Sequence, residues 1–457
     1  MRGTGEILLV STYELGHVPS GISFPKAFLE RAGFRPSALD LAVEPFDPDR
    51  VRAAHLIAFS VPMHTALRLT ERAVERVREE NPGAKLAFHG LYALLEAPLL
   101  RSLGACAVLG GECEEDLVAV AVALERGEPT LAFLKGGGEG ATLLHLDFPV
   151  PSRTGLPALK HYARLLEDPG AERVAGYTEA TRGCKHLCRH CPIPPLYRGR
   201  FFAIPVEVVV ADVARQIEAG ATHVTLGDPD FLNGPRHAER VALALHERFP
   251  ALTFDFTAKI EHLIRQADLL PALRASGALF VVSAVESLSD TVLTHLHKGH
   301  CRGDVYRAFE VCARAGLALR PSLVPFTPWA TLEDYLDLID TFAREGWLFA
   351  LDPVQLSVRL LVPPGSLLLE DPTFVTSGFD AAALSYAWRH TDPRVDRLQE
   401  KVALRVEAAQ ASREPPAQTF AAIRELARAA AGHPHLHVPV PFVPGPRGPR
   451  LSESWFC

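Results

Sequence analysis

A chain of 457 residues with a formal net charge of -7 is too long for one ordinary core and supplies no basic field for a nucleic acid. Its 48% hydrophobic and 22% charged residues are those of a soluble globular protein, and eight cysteines are too few for a disulfide scaffold. There is no signal-peptide pattern and no apolar run near the ~20 residues that cross a bilayer. The expectation is a cytoplasmic protein without membrane or nucleic-acid partners.

Residues 1–125 alternate strand-like and helix-like runs: "EILLVST" (6–12), "SALDLAV" (37–43), "AHLIAFSVP" (54–62), "AKLAFHG" (84–90) and "CAVLGG" (106–111), with helical patterns at 24–34, 64–81 and 112–125. Alternation of this kind implies right-handed crossovers and a parallel, Rossmann-like sheet. Its ligand edge would carry the loops at 11–21, 60–64, 88–93 and 110–112. Residues 126–175 read as a connector, in which the glycines of "GGGEG" form a turn, since no lysine-serine pair or helix follows. From 176 to 371 the rhythm resumes with strands at 176–183, 222–230, 252–260, 278–287, 317–326 and 352–361. Six such units suit a partial (βα) barrel. Residues 372–432 read as helical and 433–457 as a Pro-rich extended tail.

Between the first two barrel strands lies "GCKHLCRHC", a Cys-x3-Cys-x2-Cys run formed by Cys184, Cys188 and Cys191. Three soft thiolates on one loop suit three corners of a [4Fe-4S] cluster, leaving one iron open. A structural zinc would need a fourth ligand, which His186 or His190 could supply, and redox thiols are the third reading. The position after the first strand of a βα series favours the cluster.

This motif in this place resembles the signature of the radical SAM superfamily. The resemblance implies that S-adenosylmethionine (SAM) chelates the open iron and is cleaved reductively to a 5'-deoxyadenosyl radical. It also implies an electron donor of flavodoxin or ferredoxin type. The strand ends then become candidates for SAM: Asp228 and Asp230 in "GDPDF" for the amino group, and Lys259 and Glu261 in "TAKIEH" near the adenosyl part. Glu286 in "SAVES" would contact the ribose or methionine part, Arg320 in "ALRPSL" the carboxylate, and Gln355 would share one face of the last strand with Arg359. For Asp230 a helix cap, and for Arg320 a structural ion pair, are equal alternatives.

A Rossmann-like domain before such a barrel resembles the cobalamin-binding subclass, although the Asp-x-His-x-x-Gly motif is absent. His17, His64 and His89 lie on loops or strand ends, where structural roles are the commoner reading. The C-terminal "LSESWFC" resembles the tails of a radical SAM subgroup that end in Cys-Cys-Ala-Glu-Pro or Cys-selenocysteine-Ala-Glu-Pro. It departs from them by stopping at Cys457, which implies a selenocysteine codon beyond it and a catalytic or soft-atom-binding role for Cys457. The expected activity is modification of a small molecule, with cobalamin-dependent methylation first. Transfer of a 3-amino-3-carboxypropyl group from SAM to a soft atom such as arsenic is one alternative. A zinc- or cluster-bearing redox or metal sensor is the non-enzymatic one.

Overall fold

The structure is a computed structural model that describes residues 1–129, 140–168, 170–432 and 447–453. Parallel strands β1 (Ile7–Ser11), β2 (Ser37–Asp40), β3 (Leu56–Ser60), β4 (Lys85–His89) and β5 (Ala105–Leu109) form a sheet of order β2-β1-β3-β4-β5. β1 and β3 are buried along their whole length because helices cover both faces. In helix His64–Glu80 the buried positions 66, 67, 70, 73, 74 and 77 recur at helical spacing and form one apolar stripe. Helices Ser20–Arg31 and Glu114–Arg126 cover the other face. The order reverses between β1 and β3, so the switch point where such sheets bind ligands opens between the loops after these two strands.

The second sheet begins earlier than the sequence implies, inside the expected connector, with β6 (Arg164–Glu167) and β7 (Ala171–Thr178) paired antiparallel. The short hairpin β8 (Thr181–Gly183) and β9 (Phe201–Ala203) follows, then β10 (His223–Leu226), β11 (Thr253–Thr257), β12 (Ala278–Glu286) and β13 (Ala318–Leu323). Strands β7 and β10 to β13 are parallel neighbours, curled over a core that the outer helices close.

The sixth barrel position departs from expectation. Pro353–Ser357 is a 3-10 turn, opened by Asp352 accepting from the Val354 N–H, and only Arg359 makes a parallel bridge, to Phe326. Pro353 has no N–H for a ladder, which explains the turn. Gln355 and Arg359 therefore share no strand face. After the hairpin β14 (Gly378–Asp380) and β15 (Ser385–Ala387), helices Pro393–Ser412 and Pro416–Ala431 pack against the barrel. The last described element, β16 (Arg450–Leu451), pairs antiparallel with β6 and so runs in the direction of the barrel strands.

The two sheets meet at their C-terminal edges. The Arg182 guanidinium, largely buried, lies 2.7 Å from Glu179, 2.5 Å from Glu114 and 3.5 Å from Glu112, and stands over the Phe24 ring. The Ser20 hydroxyl donates to Glu179 at 2.6 Å, and Tyr197 Oη donates to Glu112 at 3.0 Å.

Candidate active site

The cysteine loop is clamped at its base by the β8/β9 hairpin. Gly183, at φ 75°, precedes the first thiol, and a Cβ there would stand 2.4 Å from the Tyr197 ring and 2.5 Å from the Arg200 carbonyl. Only glycine admits this turn. Cys184 and Cys188 are buried and Cys191 is partly so. The Arg189 N–H donates to the Leu296 carbonyl (3.0 Å) and its side chain to Asp371 (2.6 Å), which fixes the far side of the loop. Burial pushes the Cys184 thiol up to about 11 and the Cys191 thiol up to about 12.

The strand ends around the loop divide into two sets. Asp228 and Asp230 both serve the local fold. Asp228, after β10, accepts from the Ala180 N–H and the Thr181 hydroxyl, each at 2.7 Å, and burial lifts its carboxyl to about 7. Asp230 accepts from the Leu232 N–H and lies 2.6 Å from His262 Nδ1. Two other candidates have partners of their own elsewhere in the barrel. Arg320 is the third residue of β13, not its last, and donates to the Arg447 carbonyl at 3.1 Å. Burial and the neighbouring Arg447 and Arg450 hold it down to about 10, so it remains cationic at neutral pH. The Gln355 carbonyl accepts from the Leu323 N–H at 2.8 Å and ends β13.

Glu286 stands at the end of β12 with φ 62°, an outlier for a non-glycine residue at a register shift. Its Oε1 accepts from Lys298 Nζ (3.0 Å) and from His190 Nε2 (3.1 Å), so it joins the cysteine loop to the fourth strand. Burial pushes its carboxyl up, but Lys298 and His190 prevail and hold it at about 2. Lys259 is buried 3.6 Å from Glu261, which also accepts from Arg265. Burial raises the Glu261 carboxyl, yet Lys259, His186 and Arg265 draw it below its ordinary value. His186 is pushed down to about 4 by burial, then by Lys259 and His262. Sequence reasoning assigned neither Lys298 nor His262 to the site.

Several buried polar atoms here have no hydrogen-bond partner: His190 Nδ1, Asn233 Nδ2, Glu286 Oε2 and His300 Nδ1. Buried polar atoms are nearly always satisfied, so orphans concentrated around three thiols fit a bound group at this place. In the N-terminal sheet, Ser11 Oγ and His89 Nε2 at the ends of β1 and β4 are also buried and unpartnered. His17 stacks on Tyr177 of the barrel at 4.6 Å, and His64 donates to the Ala383 carbonyl. The C-terminal segment reaches this junction: Tyr13 donates to Glu453 at 2.8 Å. Cys457, the histidines at 433–437 and most of "GGGEG" lie outside the described residues.

Residues 178–342 match the Radical SAM superfamily model, so the chain carries a domain of that superfamily. A tRNA-2-methylthio-N(6)-dimethylallyladenosine synthase of Alkalilimnicola ehrlichii is 30% identical over 199 residues, 40% of this chain and 44% of that protein. The ribosomal protein uS12 methylthiotransferase RimO of Chloroherpeton thalassium is 23% identical over 37% of this chain and 40% of its own. The chain thus spans less than half the length of these curated relatives. Among solved structures, the cobalamin-dependent radical SAM enzyme OxsB, with aqua-cobalamin and SAM bound, superposes with a TM-score of 0.69. It is 14% identical and the match covers 88% of this chain and 66% of that one. The radical SAM methyltransferase TsrM from Kitasatospora setae, with cobalamin and a [4Fe-4S] cluster bound, gives a TM-score of 0.57 at 17% identity, over 74% and 73% of the two chains. The fold of both domains is shared with these structures.

Proposed function

We propose that the protein is a radical SAM enzyme that methylates a small molecule with the help of cobalamin. The observation that carries this reading is the set of three thiols, two buried and one partly so, on the loop after the first barrel strand, together with the unpartnered polar atoms of His190, Asn233 and Glu286. Cys184, Cys188 and Cys191 would hold a [4Fe-4S] cluster, and Lys259 and Glu286 are the strand-end groups we assign to SAM. When bound, these cofactors supply a one-electron cleavage of the sulfonium and, with a corrin, a methyl carrier. Glu286 is held ionised, so it offers a fixed acceptor for hydroxyl or ammonium groups, while His190 and Lys298 keep its carboxylate aimed at the loop. The N-terminal sheet caps the barrel at its strand ends and would exclude water from the chemistry. Its switch point, with Ser11 and His89 beside it, is the assigned corrin site.

An acidic chain favours a small molecule over the tRNA of the curated relatives. The electron would come from a flavodoxin- or ferredoxin-type donor. Cys457 is assigned a thiol role. The test is anaerobic reconstitution with iron, sulfide and hydroxocobalamin, followed by SAM and dithionite. The expected result is retained corrin absorbance together with S-adenosylhomocysteine and 5'-deoxyadenosine. Retained cluster without corrin would remove cobalamin from the reading.

A further inference from the structure

Next to the thiols a second donor set converges. Among the described residues, His186, Glu261 and His262 are the one trio of metal-ligating side chains whose donor atoms all lie within 4.8 Å of one another. They come from separate elements: His186 from the cysteine loop, and Glu261 and His262 from the helix Ile260–Arg265 that follows β11. The two Nε2 atoms are 3.2 Å apart. A tetrahedral ion with bonds of about 2.0–2.1 Å holds its ligand atoms about 3.3–3.4 Å apart, which is close to the spacing of the two rings. Glu261 Oε2 lies 3.8 Å from the other nitrogen of His186, Nδ1, and would swing to complete the set.

The other side of His262 completes the pattern. Its Nδ1 lies 2.6 Å from Oδ2 of Asp230, a residue with 0% exposure. The two atoms are close but not aligned as a hydrogen bond. A small turn of the ring onto an ion would align them. A carboxylate that takes the distal N–H of a ligating histidine fixes the tautomer and leaves the other nitrogen's lone pair to the metal.

We propose that His186, His262 and Glu261 bind one divalent transition ion of the zinc class, distinct from whatever the cysteines hold, with Asp230 orienting His262. Two imidazoles and a carboxylate leave a fourth position of a tetrahedral ion for water or an anionic ligand. The ion ties the cysteine loop to the third strand's C-terminal end. Lys259, 3.6 Å from Glu261 Oε2, competes for the same carboxylate and lowers the affinity. The site does not depend on the radical SAM reading and stands or falls separately.

Cobalt(II) titration of the full-length chain tests it. Two forms are used: the cluster-loaded protein, and a C184A/C188A/C191A variant whose thiols cannot take the ion. The expected result is one cobalt per chain with tetrahedral d–d bands, no thiolate charge-transfer band, and displacement by zinc. H186A and H262A should abolish the bands. Asp230→Asn should weaken binding about 10–100-fold, the usual effect of losing an outer-shell partner, while Lys259→Met should tighten it. Should the triple-cysteine variant not fold, X-ray absorption at the cobalt edge of the cluster-loaded protein gives the same reading as nitrogen and oxygen ligands only. Absence of stoichiometric cobalt, sulfur ligation, or bands that survive in both histidine variants overturns the proposal.

Discussion

Glu286 concentrates the electrostatics of the site in one side chain. Its carboxylate is buried with Lys298 and His190, so Glu286→Gln leaves the Lys298 ammonium in the interior with one charged partner fewer. Breaking a buried pair costs about 3–5 kcal/mol, and we expect a denaturant midpoint shifted by that order at neutral pH. The sign with pH follows from the depressed value. The wild-type advantage is complete above the unfolded pKa of about 4.5 and fades as pH falls toward about 2. Glu14 is the opposite case. Burial raises its carboxyl to about 8, although it accepts from the Gly21 N–H and the Ser60 hydroxyl. Its cost is absent below about pH 4.5 and grows as pH rises toward 8. Glu14→Gln keeps both contacts and should therefore raise stability by about 1–2 kcal/mol at pH 8, with no gain at pH 4. A pH series of urea unfolding curves for both variants reads out both signs.

At the scale of elements, β16 is the informative one. It covers the edge of β6, with Ser452 and Arg164 bonded in both directions, while Arg447 supplies the carbonyl that satisfies buried Arg320. Truncation before Arg447 should uncover an edge strand and strand a buried guanidinium. The expected outcome is a loss of about 1–3 kcal/mol and self-association at rising concentration, measured by thermal melts and light scattering. An unchanged melt and a monodisperse chain would contradict the docking. This element was not legible in the sequence, because a two-residue strand in a Pro-rich tail has no period to detect. The opposite holds for the parallel strands. "EILLVST" and "AHLIAFSVP" are unbroken apolar runs bounded by turn residues, and they fold within a residue or two of the expected limits. "DPVQLSVRLL" has the same composition but begins with Asp-Pro, and that local cap prevails over the apolar pattern. Within the site, the thiols were legible from their spacing together with their place after the first strand of a βα series. The partners of Glu286 were not, because Lys298 and His190 meet it only through the curl of the sheet.

For the whole molecule the question is how two domains act as one body. Arg182 lies between Glu179 of the barrel and Glu112 and Glu114 of the N-terminal sheet, and it is largely buried. Arg182→Met would leave carboxylates from both domains facing one another without a cation. We expect loss of about 3–5 kcal/mol and separate unfolding of the two domains by calorimetry, where the wild type unfolds in one transition. Described helices include none long and apolar enough to cross a membrane. The account rests on what the cysteine loop binds. The most direct measurement is iron, acid-labile sulfide and SAM cleavage in anaerobically reconstituted wild type beside C184A/C188A/C191A. The account predicts a [4Fe-4S] cluster and 5'-deoxyadenosine from the wild type under dithionite, and loss of both in the variant. A colourless wild type that holds zinc on these thiols and leaves SAM intact would contradict it.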